Sequence, residues 1–578
     1  MDYRNKYSSW IESEYVSEAI KQELLNISDE SDIEDRFYKD LEFGTGGLRG
    51  KMGAGSNRMN FITVSKATQG LSDYLNNKYK DQECATCIAY DSRNNSEAFS
   101  KDAACNLAAN GIKVYLFESL RPTPELSFTV KHLNAQAGIV LTASHNPKEY
   151  NGYKVYNEYG GQLTDDAAKK VISYVEKVED FESIKTMDFN KAVEEGKIVL
   201  IGEEIDVAYI EKIKNLTIRE NLVKEYAKDL NIIFTPIHGS GNLPIRRALG
   251  ELGYDNLTVV KEQELPDGNF PTASYPNPEE PAVFELALQK AKEINPDIIF
   301  GTDPDCDRIG LVVKNSEGEY KVLNGNQTGV LLGNYIVTSL MEQGRLPENP
   351  AILKTIVTSS MIERVCEKHN IETMDVLTGF KYIGEKIHEF EKEKNKSFVF
   401  GFEESFGYLL GDFVKDKDAV AAAVIVCEMA LYYKKKGMSL YEALTELYEE
   451  YGYYREDLIS ILLEGKEGTE KIGRALEYLR HSMPTAINGA KIIKKQDYKL
   501  SIEKDLRNIT ETKIDLPKSN VLKFTLEDNS WFVVRPSGTE PKMKIYIGVC
   551  GKNNHESLNK IAEFKKAVMA LIDEACGK

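Results

Sequence analysis

Asp297-Ile298-Ile299-Phe300-Gly301-Thr302-Asp303-Pro304-Asp305-Cys306-Asp307-Arg308 is the stretch from which the fold can be read. A short apolar run stops abruptly at a turn of Gly, Asp and Pro, as a strand buried on both faces does when it reaches a polar loop. The pattern recurs. Gly138-Ile139-Val140-Leu141 runs into Thr142-Ala143-Ser144-His145-Asn146-Pro147, and Asn231-Ile232-Ile233-Phe234 into Thr235-Pro236-Ile237-His238-Gly239-Ser240-Gly241. Ser397-Phe398-Val399-Phe400 runs into Gly401-Phe402-Glu403-Glu404-Ser405-Phe406-Gly407. With a helical stretch expected after each turn, the alternation predicts an α/β protein whose sheets are mostly parallel and covered on both faces. Ligand chemistry then belongs beyond the carboxyl ends of the strands, where these turns fall.

The C-terminal part reads differently. Val521–Leu526, Ser530–Val534 and Lys544–Val549 are strand-like runs with short connections. A helix follows, with Leu558, Ile561, Phe564, Val568 and Leu571 expected to form one buried stripe. This predicts a small α+β domain with an antiparallel sheet. The charged, weakly periodic stretch from Gly465 to Leu516 reads as linker and peripheral helices. Domain limits are expected at 1–205, 206–320, 321–455 and 456–578, in keeping with the three to five domains that 578 residues suggest at roughly 100–200 each.

Seventy-three basic against ninety-one acidic residues give a net charge of −18, which argues against a nucleic-acid or anionic-membrane surface. An anionic substrate would need Lys and Arg gathered locally. No apolar run reaches the ~20 residues of a membrane span; Ala419–Tyr433, broken by Glu428, reads as a buried helix. The first residues lack the pattern of a signal peptide. Eight scattered cysteines suggest a reducing compartment, and the cytoplasm is the expected location. Cys84-Ala85-Thr86-Cys87 opens an apolar run that looks like a strand, which favours buried thiols over a redox pair.

Five turns carry chemistry. In Asp303-Pro304-Asp305-Cys306-Asp307-Arg308 three carboxylates at alternate positions repel one another unless a hard cation sits among them, and all-oxygen ligands favour Mg²⁺, Mn²⁺ or Ca²⁺. An EF-hand would need Gly and Glu where Arg308 and Lys314 stand. Ser144 is held at a strand end ahead of Asn146-Pro147. Its neighbour His145 should point the opposite way in an extended segment, and no G-x-S-x-G elbow surrounds it, which argues against a Ser–His triad. If Ser144 faces the acidic loop, a metal could bridge them, more strongly if the serine carries a phosphoryl group of about −1.5 to −2 charges. Arg535-Pro536-Ser537-Gly538-Thr539-Glu540-Pro541-Lys542 has the make-up of a phosphate cradle between two strands. Glu403 and Ser405, two apart, can face one way and read vicinal hydroxyls. Gly44-Thr45-Gly46-Gly47-Leu48-Arg49-Gly50 is no P-loop, but it offers Arg49 as a phosphate ligand.

Taken together and in this order, these motifs resemble the α-D-phosphohexomutase superfamily, its glucose-specific members most closely. The resemblance covers nearly the whole chain apart from the first 40 residues and the Gly465–Leu516 stretch. It implies three similar mixed α/β domains and a smaller α+β domain around a central cleft. It implies an isomerase that converts glucose 1-phosphate to glucose 6-phosphate through a phosphoserine and a glucose 1,6-bisphosphate. Mannose or pentose phosphate mutation, or bisphosphate synthesis, are alternatives for the same motifs; a non-catalytic sensor and a phosphatase fit them less well. It implies that Ser144 is the nucleophile and one ligand of a single Mg²⁺ held by Asp303, Asp305 and Asp307, with Arg308 and His145 in substrate contact. Lys154 and Arg49 would serve at the reacting phosphate, and Glu403 and Ser405 at the sugar hydroxyls. Arg535, Ser537, Gly538 and Thr539 would take the distal phosphate. Lys154 or Lys417 would act as general base, for which its pKa must be lowered by cationic neighbours. A hexose phosphate is the expected partner, and the chain is expected to be a monomer or weak homodimer.

Overall fold

The structure, a computed structural model, describes residues 2–44, 46–463, 465–482, 484–536 and 542–577. Four sheets follow one another along the chain. The first has the strand order 47–51, 150–157, 137–141, 85–90, 113–117, 198–201. The second runs 320–323, 309–314, 298–302, 232–235, 257–259, and the third 372–376, 350–355, 397–403, 407–410. Each mixes parallel and antiparallel pairs and is packed with helices. The fourth is antiparallel, with Tyr453–Leu462 at one end, then 542–551, 531–536, 522–526, 490–497, 502–505 and 510–513.

The expected strand–turn–helix units differ from the structure in an instructive way. Only the turn at 235–241 leads into a helix, Asn242–Glu251. The turns after Leu141, Thr302 and Glu403 lead into antiparallel partners, 150–157, 309–314 and 407–410. The reason is visible in sequence: Tyr150–Asn157 and Ile309–Lys314 carry Tyr, Val and Ile without helical spacing, so a returning strand satisfies their backbone groups against the sheet. A hairpin thus stands at the mouth of each of the first three sheets.

The stretch read as linker is a correction. After the helix Gly465–His481 it supplies the strands Ala490–Asp497, Ile502–Asp505 and Thr510–Lys513. The outermost of these is exposed throughout. Edge strands are blunted with charge, which hides their alternation. Each expected domain limit also falls inside an element: 205 in Glu203–Lys214, 320 in Tyr320–Leu323 and 455 in Tyr453–Leu462. We propose limits at 202, 324 and 452 instead. In the last helix, Asn554–Ala575, Phe564, Val568 and Leu571 are buried but Leu558 is 50% exposed. Ser557, fully buried, holds the stripe position one residue earlier, so Leu558 lies about 100° round the helix from it.

Ala419–Lys435 is the buried helix its apolar run predicts. Asp418 caps it by accepting the Ala421 N–H at 2.9 Å. Its one interior charge, Glu428, accepts the N–H groups of Ile218 and Arg219 at 2.9 Å each and the Tyr335 hydroxyl at 2.6 Å. One apolar cluster runs through the first three sheets, including Val140, Phe234, Phe300, Ile352, Phe400 and Val424. Each such side chain contributes roughly 1.5–3 kcal/mol by leaving water. A smaller cluster joins Ile356, Val357 and Leu377 to Trp531, Val533 and Tyr546 and seats the fourth sheet on the third. Cys84 and Cys87 are buried free thiols. Among the described residues no helix is long and apolar enough to cross a membrane.

Candidate active site

The three hairpins meet. Each turns on a non-glycine residue in the left-handed region: Ser144 at φ 51°, Cys306 at φ 54° and Phe406 at φ 64°. Such a residue costs roughly 1–2 kcal/mol and persists only where its surroundings hold it.

At Ser144 the holding group is Arg93. Its side chain is fully buried beside Asp91, 3.4 Å from Nε to Oδ2. Its guanidinium donates to the carbonyls of Ser144 (2.6 Å), Pro147 (2.9 Å) and Tyr150 (3.1 Å), and to that of Asn146. Asp91 in turn accepts the Thr142 hydroxyl at 2.6 Å, and Thr142 Oγ1 accepts the Ser144 N–H at 2.8 Å. The loop is therefore braced from below by one cation. Because Ser144 is left-handed and not extended, His145 does not point away: its Nδ1 lies 3.1 Å from Ser144 Oγ, against expectation. Burial and the cations Arg308 and Arg49 hold that imidazole well below its usual range, so it is neutral.

Ser144 Oγ donates to Asp303 Oδ2 at 2.7 Å. Asp303 Oδ1 accepts the N–H groups of Asp307 (3.1 Å) and Arg308 (3.0 Å), which closes the acidic turn. Oxygens of Asp303, Asp305 and Asp307 lie within 4.8 Å of one another, and all three residues are buried. Burial and the two neighbouring carboxylates push Asp303 well above the usual carboxylate range. Asp305 Oδ1 and Asp307 Oδ1 are buried without a hydrogen-bond partner. Bare carboxylate oxygens converging beside a hydroxyl are the donor set of a hard divalent cation, so the residues present fit one. The turn rests on Gly239 and Gly241: a Cβ on either would stand 2.6 Å from Pro304 or Cys306. Ser240 donates from N and Oγ to the Pro304 carbonyl at 2.8 and 2.9 Å.

Two lysines flank the triad. Lys154 Nζ lies 2.7 Å from Asp305 Oδ2 and 3.3 Å from Asp307 Oδ2; Lys417 Nζ lies 3.1 Å from Asp307 Oδ2 and 3.2 Å from Asp416 Oδ1. The expectation that cations lower their pKa is reversed. Burial alone would lower both, but the facing carboxylates outweigh it and raise both. Asp416 is held by the Tyr156 hydroxyl and the Gln162 amide, each at 2.7 Å. Asp307 is pushed up by burial but held below its usual range by Lys417, Lys154 and Arg308.

Glu403 ends its strand two residues before Ser405, and burial raises its pKa to about 7 against the pull of Lys417. Gly407 lets the two approach: a Cβ there would meet Lys417 Cδ at 2.2 Å and Glu403 Oε1 at 3.0 Å. Arg308 pairs with Glu279 at 2.5 Å and bridges Gly407, joining the second hairpin to the third. Arg49 is exposed and donates to Asn146 Oδ1 at 3.3 Å, on a strand paired with that of Lys154.

Arg535 bonds Thr378 Oγ1 across the last interface. Ser537, Gly538 and Thr539 lie outside the described residues. Arg535 stands directly opposite Lys544 in the sheet. Facing cations repel, and burial and Arg535 lower the Lys544 pKa; an anion between them would relieve both. Sequence reading passed over Lys544, Arg93 and Asp416. The first lay just past a recognised motif, and Asp91-Ser92-Arg93 is itself a turn at a strand end.

Family models described as phosphoglucomutase/phosphomannomutase α/β/α domains I, II and III and C-terminal domain match residues 40–182, 207–318, 324–451 and 490–563. Phosphoglucomutase of Staphylococcus saprophyticus is 36% identical over 547 residues, covering 95% of this chain and 97% of that protein. That of Staphylococcus aureus strain MRSA252 is 37% identical over 523 residues, 90% and 92% of the two chains. In fold, the chain is similar to the open form of the Paramecium phosphoglucomutase parafusin, with a TM-score of 0.68 at 19% identity over 94% and 96% of the chains. It is also similar to a putative phosphomannomutase of Thermus thermophilus, with a TM-score of 0.67 at 20% identity over 93% and 99%.

Proposed function

This chain belongs to the phosphoglucomutase/phosphomannomutase family of phosphoryl-moving isomerases, and from that premise we propose that it interconverts α-D-glucose 1-phosphate and glucose 6-phosphate through phosphorylated Ser144 and a glucose 1,6-bisphosphate. The observation that carries the reading is the 2.7 Å contact between Ser144 Oγ and Asp303 Oδ2. Glucose as the sugar is supported by the staphylococcal relatives, named phosphoglucomutases.

In the first transfer a free sugar hydroxyl forms a new O–P bond while the Ser144 Oγ–P bond breaks. In the second, Ser144 Oγ takes back the other phosphoryl group of the bisphosphate. Such transfers depend on alignment and charge neutralisation. Asp303, Asp305 and Asp307 would hold one Mg²⁺, which when bound supplies positive charge to the phosphoryl oxygens. Lys154 and Lys417 are protonated while Asp305, Asp307 and Asp416 face them. Lys417 is placed to act as general base, because Gly407 brings it beside Glu403, the reader of the sugar hydroxyls; its ammonium first gives up a proton to solvent, and the neutral amine then accepts the proton of the attacking sugar hydroxyl. Ser405 assists Glu403, and His145, Arg49, Arg308 and Lys154 line the reacting end. Arg535 with Ser537, Gly538 and Thr539 takes the phosphate that does not react, and Lys544 supports them.

Turnover on glucose, mannose and ribose 1-phosphates measured side by side tests the reading. The highest kcat/KM is expected for glucose. A higher value for mannose would make the chain a phosphomannomutase, and inorganic phosphate released in place of hexose 6-phosphate would make it a phosphatase.

A further inference from the structure

Thr123 lies in the first domain, 182 residues before Asp305, yet it makes two hydrogen bonds to that residue. Its N–H donates to the Asp305 carbonyl at 2.9 Å, and its Oγ1 donates to Asp305 Oδ2 at 2.9 Å. Both residues are fully buried. The backbone bond has a local origin. Thr123 opens the helix Thr123–His132, between Pro122 and Pro124. The N–H at a first helical position has no partner within its helix, so it is free to donate outward.

The turn before this helix is fixed at two points. Arg121 pairs with Asp206 through Nε–Oδ1 at 2.7 Å and Nη2–Oδ2 at 2.8 Å, and its N–H donates to the Tyr90 carbonyl at 3.1 Å. Thr123 is therefore presented to the acidic turn from a rigid mount. The positive end of the helix dipole also faces that cluster of carboxylates, a favourable placement.

The consequence for Asp305 is an asymmetry between its two oxygens. Oδ2 is taken by Thr123 Oγ1 and by Lys154 Nζ at 2.7 Å. Oδ1 is buried and has no partner. A carboxylate pinned by one oxygen can rotate only about that attachment, and a second donor on the same oxygen fixes the rotation too. The geometry points to Thr123 as a positioning residue that sets the Asp305 carboxylate with Oδ1 turned toward the divalent ion, so that the first domain helps to organise a metal site built in the second. It rests on the reading that Asp303, Asp305 and Asp307 hold that ion. Hydrogen-bond partners of metal-ligating carboxylates tune affinity in this way.

Thr123→Val keeps the shape and the backbone N–H and removes only the hydroxyl donor; Thr123→Ser keeps the donor. Mg²⁺ and Mn²⁺ titrated calorimetrically into the chelator-stripped full chain are expected to bind Thr123→Val about 10- to 100-fold more weakly than wild type. Thr123→Ser should bind as wild type does. The metal-free melting temperature of Thr123→Val should stay within about 4 °C of wild type. Unchanged affinity in Thr123→Val overturns the inference while leaving the metal site standing. A metal-free Thr123→Val that melts far lower makes the residue structural and overturns it as well. A wild-type chain that takes up neither ion, or an Asp305→Ala chain that binds as tightly as wild type, removes the metal reading itself.

Discussion

Ser144 Oγ and Asp303 Oδ2 stand 2.7 Å apart although 159 residues separate them in the chain. Two hairpins from two different sheets thus place a hydroxyl against a carboxylate that burial and two like charges keep from ionising easily. Such a contact is costly to build for stability alone, and it becomes favourable once a cation neutralises the cluster.

Asp303→Asn should therefore be harmless without metal and damaging with it. In chelator the variant is expected to melt at or above wild type, since one of three crowded carboxylates is gone. Adding Mg²⁺ at about 100 times its Kd should stabilise wild type by ~2.7 kcal/mol and the variant by much less. Equal metal-induced shifts in thermal melts would mean that Asp303 holds no ion.

Arg93→Met removes the cation that braces the Ser144 loop and strands Asp91, whose side chain is as fully buried as that of Arg93. Removing one partner of a buried pair costs about 3–5 kcal/mol. Urea unfolding should show that loss, and kcat should fall more than KM changes, because the left-handed Ser144 loses its support. A loss below about 1 kcal/mol would show that the loop is held by other groups.

Glu403 supplies a pH signature. Burial raises its pKa from an ordinary 4.5 to about 7. A carboxyl whose folded-state pKa is raised favours the folded state below its unfolded value and loses that contribution as pH climbs to the folded value. Stability from this group therefore declines between about pH 4.5 and 7. Glu403→Gln should flatten that slope in denaturation curves taken across the range. It should also remove the rise in kcat/KM near pH 7 expected if the ionised carboxylate reads the sugar. An unchanged stability slope in the variant would place the titration elsewhere.

What could be read from sequence was local. Asp303, Asp305 and Asp307 share one six-residue turn, so their mutual repulsion, and the ion it calls for, can be inferred without a structure. Glu403 and Ser405 are likewise two apart. The braces are not local: Arg93 reaches across 51 to 57 residues to the Ser144 loop, and Thr123 across 182 to Asp305. No spacing rule links such partners. The pKa of Lys154 and Lys417 was misjudged in part for the same reason, because Asp305 and Asp307, which raise it, come from another sheet, although Asp416 stands next to Lys417 in the chain. His145 was misplaced because a left-handed serine is not announced by its neighbours. The strands between 490 and 513 were missed because Lys, Gln, Glu, Asp and Thr interrupt the alternation of Ala490–Asp497 and Ile502–Asp505 and fill both faces of the edge strand Thr510–Lys513, which erases the period-two signal.

The most direct test is the site of phosphorylation. The full chain is incubated with Mg²⁺ and glucose 1,6-bisphosphate, and its intact mass and peptides are compared with those of Ser144→Ala treated alike. One phosphoryl group on Ser144 of the wild type is expected, with none on the variant and mutase turnover abolished in it. A phosphoryl group on another residue, or a Ser144→Ala chain that still converts glucose 1-phosphate to glucose 6-phosphate at the wild-type rate, would contradict the role given to Ser144.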